Sequence, residues 1–555
     1  MTNTAPSSLS QLVRSAANEF SATPAFTVCL PNGMNGTLTF EMVDELSDAF
    51  AIYLREVLAL EPGDRVAVQV PNSLSFPVAA FGIFKAQCIL VNVNPLYTSS
   101  EMALQFEDAT PSALVIADVF ADKLPEAMRN HNIPNVIVTQ VSEFIPYLPQ
   151  KIIRLVQKYW DRSVRPVPFP HIKLIDALEA ARQSNQRSQS IVDGFDKATN
   201  ADATACLQYT GGTTGIPKGA MLTHNNLLAN VEQTLKAIPS MAEQHQTILT
   251  ALPLYHIFAF TVNLLCFFRL GAQNILIPNP RPLINLKRSF ENYPITWMSG
   301  VNTLFNGLTR ELWFQDSPPK NLRFSTAGGM AMQTAVAERW QQVTQSPLLE
   351  GYGLTETSPV LAFNPLDQNR IGSVGVPLSS TEITCIDDDG KLLPIGATGE
   401  VAVKGPQIMK GYWQNPDETE ASFQDGWFKT GDIGRLDQDG YLHIIDRKKD
   451  VIIVSGFNVY PTEIENCLAT LKGVAEAAVV GVRDSNANEV VTAFVVLQDK
   501  TLSEASLLEY CQKHLTNYKI PKKIIFRDEL PKSPVGKILR KDLHLILTSP
   551  SEPSV

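Results

Sequence analysis

The feature that most limits the fold is an alternation of short apolar runs with helical patterns between about residues 39 and 300. The runs are DRVAVQV, CILVNVN, ALVIAD, NVIVTQ, ILTALP and QNILIPN. Strands that alternate with helices along a chain are typical of α/β architecture, in which the helices cover a largely parallel sheet. We therefore predict an α/β fold for this part of the chain.

The pattern changes after about residue 371, where Gly, Pro and Asp separate short alternating strands. The segments STEITCIDDDGKLLP, GEVAVKG and GYLHIID predict a β-rich subdomain with hairpins at DDDG and DQDG. A charged connector, IDRKKD, leads into a mixed α+β pattern. We divide the chain into a large N-terminal part (residues 1–445), a hinge (446–450) and a small C-terminal domain (451–555) that ends in a disordered tail.

Composition excludes several classes of protein. The formal charge of −10 argues against a nucleic-acid partner, which prefers a basic surface. The seven scattered cysteines have no C-x-x-C spacing, which favours a reducing compartment over a disulfide scaffold or a zinc site. The N-terminus lacks the basic and apolar regions of a signal peptide, and no apolar stretch reaches the roughly 18–20 residues of a membrane span. We therefore expect a cytoplasmic protein.

The stretch YTGGTTGIPKGAMLTH, residues 209–224, predicts a loop that binds phosphate. Glycines let backbone N–H groups approach an anion closely, and Lys218 adds a positive charge. The spacing differs from that of the P-loop, because Lys218 follows Pro217 and precedes Gly219. A strand is predicted before the loop and a helix after it, so we expect it to lie between a strand and a helix. A flexible surface turn is the alternative that this stretch alone leaves open.

Four further motifs follow in order: LPLYHIFAF (Leu252–Phe260), EGYGLTET (Glu350–Thr357), GWFKTGDIGRLDQDGYLHIIDRKKD (Gly426–Asp450) and PKSPVGKILRKDL (Pro531–Leu543). Together with the glycine-rich loop, they resemble the adenylate-forming superfamily of acyl-CoA synthetases, luciferases and peptide-synthetase adenylation domains. The resemblance covers nearly the whole chain and is strongest to bacterial long-chain fatty-acyl-CoA synthetases. It implies two N-terminal α/β subdomains plus a distorted β-barrel, and a small mobile α+β C-terminal domain.

The resemblance also implies a reaction in two steps. A fatty-acid carboxylate attacks the α-phosphate of ATP and releases pyrophosphate, and the thiol of coenzyme A then displaces AMP from the acyl-adenylate. ATP and coenzyme A would be substrates, and Mg²⁺ the cofactor. Two alternatives stay open: an acyl-adenylate enzyme with another acceptor, such as an acyl-carrier protein, or another apolar acid, and a catalytically idle lipid-binding homologue.

The family pattern assigns roles to individual residues. The residues implied to bind ATP or AMP are Thr210, Gly211, Gly212, Thr213, Thr214, Gly215, Lys218, Gly328, Gly329, Gly351, Tyr352, Gly353, Thr355, Asp432 and Arg447. Thr213 and Glu356 are implied as Mg²⁺ ligands, because magnesium prefers hard oxygen ligands. These two residues and Lys537 form the implied catalytic set, in which Lys537 contacts the carboxylate and the α-phosphate during adenylation.

Two segments that resemble the acyl pocket of the family contain no acidic residue, namely residues 251–268 and 295–308. An apolar wall suits an alkyl chain, because each buried methylene contributes about 0.8 kcal/mol. The implied acyl-binding residues are His256, Phe260 and Val301, with Phe260 at the position of an aromatic gate. The implied pivot of the hinge is Lys449, and Ser455, Gly456 and Phe457 belong to a loop that would approach coenzyme A.

Residues 150–162, QKIIRLVQKYWDR, predict a strongly amphipathic helix. Its apolar side carries Ile152, Ile153, Leu155, Val156, Tyr159 and Trp160, and its basic side carries Lys151, Arg154, Lys158 and Arg162. A helix that lies on an anionic membrane has this composition, which favours peripheral attachment to the inner face of the membrane. The alternative is a helix whose apolar side packs on its own domain. A homodimer is a further arrangement that the sequence leaves open.

Overall fold

The computed structural model describes residues 6–160, 164, 167, 169–184, 188–197, 199–210, 217–243, 245–454, 456–483, 489–533 and 536–548. These residues form mixed α/β layers, a β-rich subdomain and a separate small C-terminal domain. The predicted fold class is therefore confirmed.

A first sheet is built largely from the predicted apolar runs. Its strands, in spatial order, are Ile172–Lys173, Asn135–Thr139, Ala113–Ala117, Arg65–Gln69, Ile89–Asn92, Thr204–Thr210 and Lys218–Thr223. Neighbouring strands are parallel except for the last pair, which is antiparallel. The central strands are buried on both faces, which explains why they are continuous apolar runs in the sequence.

A second sheet lies beside the first and carries much of the candidate site. Its strands, in spatial order, are Val376–Pro377, Val360–Phe363, Leu348–Gly353, Phe324–Ala327, Trp297–Gly300, Thr247–Thr250, Gln273–Leu276, Pro24–Cys29 and Asn35–Thr39. The central strands are parallel and the edge strands antiparallel. In a parallel sheet the loops at the carboxyl ends of the strands meet at one edge, which is where ligands bind.

Helices cover both sheets. The α-helices of the large part are Leu9–Phe20, Phe40–Ile52, Ser75–Lys85, Ser99–Ala109, Leu124–Ala127, Tyr147–Leu155, Leu174–Ser184, Ser188–Asp196, His224–Ala237, Phe267–Arg269, Lys287–Asn292, Asn302–Leu308, Leu312–Asp316, Thr334–Thr344 and Pro416–Ser422. Residues Tyr53–Val57, Val156–Trp160 and Ala259–Cys266 are π-helical. Within the described residues, no helix has the length and apolar character needed to cross a membrane.

The β-rich subdomain contains Glu382–Ile386, Gly399–Lys404, Phe423–Gln424, Trp427–Leu436 and Leu442–Arg447. The predicted turn DQDG joins Trp427–Leu436 to Leu442–Arg447, and DDDG follows Glu382–Ile386. The last of these strands runs directly into the hinge.

The small domain has its own core and several contacts with the large part. It contains the strands Val474–Arg483, Glu489–Leu497 and Lys523–Arg527, the hairpin of Ile452–Val454 with Phe457–Val459, and the helices Pro461–Thr470, Glu504–His514 and Arg540–Thr548. Its core includes Ile464, Leu468 and Val479. Among the hydrogen bonds that join it to the large part, Thr303 Oγ1 donates to the Gly536 carbonyl (3.1 Å), and Asn306 Nδ2 donates to the Ala475 carbonyl (3.4 Å).

Candidate active site

Most of the predicted site residues line one cavity of about 1510 Å³ between the large part and the small domain. Those that line it are Thr210, Lys218, His256, Gly328, Gly329, Gly351, Tyr352, Gly353, Thr355, Glu356, Asp432, Arg447, Lys449 and Lys537. These residues come from segments that are far apart in the sequence. The motifs showed only their order along the chain, whereas the fold places them around one cavity. Gly211, Gly212, Thr213, Thr214, Gly215 and Ser455 lie outside the described residues.

The buried carboxylate of Asp432 lines the cavity. Its Oδ2 accepts a hydrogen bond from the Tyr352 hydroxyl (2.6 Å), and its Oδ1 pairs with Arg447 Nε (2.7 Å). Burial raises the pKa of Asp432, whereas Arg447 opposes that rise. Burial also raises the pKa of Tyr352 well above its ordinary value, so the phenol stays protonated and donates to the carboxylate.

Lys537 reaches this cavity from the small domain. A Cβ built at Gly329, which has a φ of +80° that favours glycine, would lie 3.4 Å from Lys537 Cε, so the lysine side chain lies against this turn. Burial, and then the nearby Arg447, lower the pKa of Lys537 to about 8, while Asp432 and Glu356 act in the opposite direction. The turn before the lysine is also tight: a Cβ at Gly536, with a φ of +86°, would meet Thr303 Oγ1 at 2.7 Å. The lysine is thus held among the predicted nucleotide-binding residues.

Glu356 and Lys218 lie in a linked polar cluster at another part of the wall. The Tyr412 hydroxyl donates to Glu356 Oε1 (2.8 Å), and Lys218 Nζ pairs with Glu418. The same ammonium lies 5.5 Å from the centre of the Tyr412 ring. A carboxylate oxygen and a lysine therefore face the cavity close to the glycine-rich loop.

The stretch follows a strand and precedes a helix that begins at His224, as predicted, but its second half, Lys218–Thr223, is itself a strand and not part of a loop. Thr204–Thr210 pairs antiparallel with Lys218–Thr223, with Thr210 opposite Lys218, and the helix begins only at His224. The residues GAML pack as strand because Ala220 and Leu222 are buried, and their main chain also bonds to the segment around Gly411. The segment that joins these two strands is therefore followed by a strand and not directly by the N-terminus of a helix.

The cavity has an apolar branch whose individual lining residues the sequence analysis did not name. It is lined by Ile238, Met241, Val262, Trp297, Val360 and Phe363, which belong to one buried apolar cluster. Trp297 and Val262 lie in the two acid-free segments of the sequence analysis, whereas Ile238 and Met241 follow the helix His224–Ala237. Their apolar character alone gave no signal, because most such residues only fill a core.

The three predicted acyl-binding residues have different surroundings. Burial, and secondarily Lys537, lower the pKa of His256 to about 3, so a neutral imidazole lines the cavity. Phe260 is fully buried, with its ring centre 6.5 Å from that of Phe76 and 6.2 Å from that of Phe84, and it lies outside the cavity wall. Val301 is buried beneath the turn at Gly536. The acyl-binding roles of these residues stay predictions.

The cavity wall also contains a carboxyl group to which the sequence analysis gave no role. Glu350 Oε1 accepts a hydrogen bond from the Met332 amide (3.0 Å), and burial raises the pKa of Glu350 to about 8. The group is therefore mostly protonated at neutral pH. It lies within the EGYGLTET motif, which is the signal that could have identified it.

The predicted loop for coenzyme A lies away from the cavity. Gly456 and Phe457 are exposed on the hairpin of the small domain, and the Phe457 ring stacks on Tyr518 with 4.8 Å between ring centres. Lys449, the predicted pivot, is exposed at the rim of the cavity. In this orientation the small domain presents Lys537 to the cavity and keeps the hairpin outside it.

Comparison with known proteins agrees with this geometry. Residues 13–413 match the family described as AMP-binding enzyme, and residues 463–537 match the AMP-binding enzyme C-terminal domain. The chain belongs to this family. It is 46% identical over 539 residues to the long-chain-fatty-acid–CoA ligase of Salmonella typhimurium, covering 97% of this chain and 94% of that protein. The resemblance identified from the motifs is therefore confirmed.

Solved structures of the family share the fold. The ATP-bound MatB from Rhodopseudomonas palustris is 28% identical and superposes with a TM-score of 0.80, covering 97% of this chain and 98% of that one. The apo form of MatB, with the same identity and coverage, superposes with a TM-score of 0.72. The present structure thus fits the ATP-bound form more closely than the apo form.

The apolar branch gives a test of where the acyl chain binds. Replacing Met241 by Trp would fill the branch, and each methylene then excluded would lose about 0.8 kcal/mol of transfer free energy. We expect kcat/KM for palmitate to fall at least about tenfold while that for hexanoate is kept. Steady-state assays over a series of saturated acids measure the change.

Met241→Leu is the matched control, because it preserves apolar character and nearly preserves volume. It should leave the chain-length profile close to that of the wild type. An unchanged profile in Met241→Trp would mean that the acyl chain does not enter this branch.

Proposed function

We propose that this protein activates long-chain fatty acids in two steps at one site, first forming an acyl-adenylate with release of pyrophosphate and then an acyl-CoA with release of AMP. The observation that carries the proposal is the cavity whose described wall combines basic side chains, among them Lys218, Arg447 and Lys537, with an apolar branch. The similarity to the Salmonella typhimurium ligase supports the fatty acid as substrate and coenzyme A as acceptor.

The first step brings a carboxylate toward a polyphosphate, so neutralising charge is the main task of the protein. Lys537 would contact the carboxylate and α-phosphate oxygens with its ammonium, which is mostly protonated at neutral pH. Asp432 would accept hydrogen bonds from the ribose hydroxyls, with Arg447 holding it ionised. Tyr352 would pack on the adenine, and Thr355 would contact the α-phosphate.

The residues near the phosphate loop are suited to Mg²⁺. Glu356 lines the cavity and, among the described residues, its carboxylate accepts a hydrogen bond from the Tyr412 hydroxyl through Oε1, so its other oxygen would suit a hard cation. Thr213, the second predicted ligand, lies outside the described residues. When bound, Mg²⁺ would offset the charge of the phosphates, while Lys218 and the loop amides orient them.

The second step needs a different orientation of the small domain. Lys537 occupies the region that the thiol of coenzyme A must reach, while the hairpin with Gly456 and Phe457 lies outside the cavity. A rotation of the small domain about Lys449 would remove the lysine and bring the hairpin in, so one cavity would serve both steps.

The proposed reaction is tested by pyrophosphate release from ATP with acids from butanoate to octadecanoate, with and without coenzyme A. We expect release to depend on the acid, to favour long chains, and to turn over repeatedly only when coenzyme A is present. Mass spectrometry of the product should identify an acyl-CoA.

The same assay separates the alternatives. Turnover with acyl-carrier protein in place of coenzyme A would favour the other acceptor, and turnover only with short or aromatic acids would favour another apolar substrate. No pyrophosphate release with any acid would leave a lipid-binding homologue and contradict the proposal.

We propose further that the helix Tyr147–Leu155, with the turn Val156–Trp160, attaches the protein to the cytoplasmic face of an anionic membrane. Its residues with described side chains are not buried, and its most exposed apolar side chains are Tyr147 (68%), Leu148 (70%), Leu155 (57%) and Tyr159 (68%). Lys151 and Lys158 lie beside two of these rings, with their ammonium groups 4.3 Å from the centre of the Tyr147 ring and 5.3 Å from that of Tyr159. Exposed apolar groups flanked by lysines suit a lipid bilayer with anionic head groups.

The orientation of this helix corrects one part of the sequence analysis. Arg154, expected on the side that meets the membrane, faces the protein and pairs with the buried Asp118, while Gln150 Nε2 donates to Glu143 Oε1 (3.2 Å). These contacts hold Arg154 and Gln150 against the large part, where Ile153 also packs, while Leu155 and Val156 stay exposed. Arg162 lies outside the described residues.

Charge reversal of Lys151 and Lys158 to Glu should therefore weaken binding to vesicles that contain phosphatidylglycerol. Each basic residue contributes about 1 kcal/mol near an anionic surface, so we expect at least about a tenfold loss at low salt. Vesicle flotation measures binding, and activity on hexanoate reports whether the site is intact.

Lys391→Glu with Lys500→Glu is the matched control, because both lysines are exposed elsewhere and the change in net charge is the same. This pair should bind vesicles like the wild type. Equal binding by both double variants would contradict the proposal. If Leu148→Ser with Leu155→Ser instead dissociates a dimer and leaves vesicle binding unchanged, the face pairs with a second copy of the chain.

A further inference from the structure

Asp446 is the first residue of the predicted hinge; it precedes the pivot Lys449, and its buried carboxylate contacts the small domain. It belongs to the strand Leu442–Arg447 and is paired there with Ile433, so it is fixed in the β-rich subdomain. Its side chain is 1% exposed. A buried carboxylate needs hydrogen bonds or ionic partners. Most of the groups that contact the Asp446 carboxylate belong to residues that follow the pivot Lys449 in the sequence.

The first partner is the helix Pro461–Thr470 of the small domain. This helix has Tyr460 at its N-cap without a side-chain hydrogen bond to the helix, so the first N–H groups need other acceptors. Asp446 Oδ2 accepts from the Thr462 amide at 2.8 Å. A carboxylate at this end also interacts favourably with the helix dipole. Asp446 therefore caps a small-domain helix from the large part.

The second partner is Arg540, three residues after Lys537. Its Nη1 lies 3.6 Å from Asp446 Oδ1 and donates to Asp450 Oδ2 at 3.0 Å. Its Nη2 donates to both oxygens of Glu465, each at 2.9 Å. Glu465 and Asp450 follow the pivot and move with Arg540, whereas Asp446 precedes it. A rotation about Lys449 would thus separate Arg540 from Asp446 but not from its other two partners.

We propose that Asp446 is a positioning residue that holds the small domain in the orientation that brings Lys537 into the cavity. It acts through Thr462 and Arg540 and does not touch the reacting atoms. Leaving this orientation removes two partners from a buried charge, so Asp446 favours adenylation over thioester formation. This inference rests on the rotation described under Proposed function.

The test compares the two half-reactions in Asp446→Asn. Asparagine is nearly isosteric and keeps an acceptor for Thr462, but it loses the charge. Since a hydrogen bond to an ionised acceptor is about twice as strong as a neutral one, we expect the ratio of ATP–pyrophosphate exchange to thioester formation from supplied acyl-adenylate to fall about fivefold. A merely structural defect would lower both rates and leave their ratio unchanged.

Asp450→Asn is the matched control. It also removes a carboxylate that pairs with Arg540, but both residues of that pair follow the pivot and move together. It should leave the ratio within about twofold of the wild type, well inside the fivefold effect expected from the charged contact. If both variants shift the ratio alike, or if neither does, Asp446 is not the positioning residue. Should Asp446→Asn fail to fold, Asp446→Ser, a shorter neutral residue that still caps helices, provides the same comparison.

Lys449→Pro separates failure of this inference from failure of the rotation. Proline fixes φ at the pivot, so pyrophosphate exchange should survive and thioester formation should fail. Normal thioester formation in this variant would overturn the rotation and the inference together. Loss of thioester formation in Lys449→Pro with an unchanged ratio in Asp446→Asn would overturn the inference alone.

Discussion

The ion pair and hydrogen bond on Asp432 are the contacts on which the cavity depends. The carboxylate lies on the β-rich subdomain, its Tyr352 partner lies near the end of a strand of the second sheet, and its Arg447 partner lies in the hinge. A buried carboxylate without partners would cost several kcal/mol, so these three segments are held in register. The same contacts fix the position of the cavity relative to the pivot of the small domain.

The electrostatics of the cavity follow from this arrangement. Arg447 is tied to Asp432 and lies near Lys537, and this positive neighbour helps burial to keep the pKa of the lysine low. The positive charge of Lys537 is only partly offset by its neighbours, so the site favours an anion, and a bound phosphate would raise the pKa of the lysine again. The neutral His256 and the mostly protonated Glu350 add polar groups without adding negative charge at neutral pH.

The sequence predicted the sheets well, because buried parallel strands are continuous apolar runs and loops separate them clearly. The sequence also predicted which motifs form one site, but only because their order resembles that of a known family. No spacing along the chain reveals that Lys537 approaches Gly329. The strand Lys218–Thr223 was missed because its sequence, KGAMLT, begins with a lysine and a glycine and does not alternate polar with apolar residues. The sequence predicted only part of the apolar branch, because nothing in the sequence distinguishes Ile238 and Met241 from apolar residues that only fill a core. The direction of Arg154 depends on a distant partner, Asp118, which no local pattern contains.

The orientation of the small domain is the central claim, because the adenylation chemistry and the positioning role of Asp446 both require Lys537 inside the cavity. The most direct measurement is the pH dependence of labelling of Lys537 by an amine-reactive reagent in the ligand-free protein, followed by mass spectrometry of the peptide. The account predicts a midpoint near the pKa of about 8 that burial and Arg447 impose. A midpoint close to the ordinary lysine value of 10.5 would place the ammonium in solvent and contradict the account.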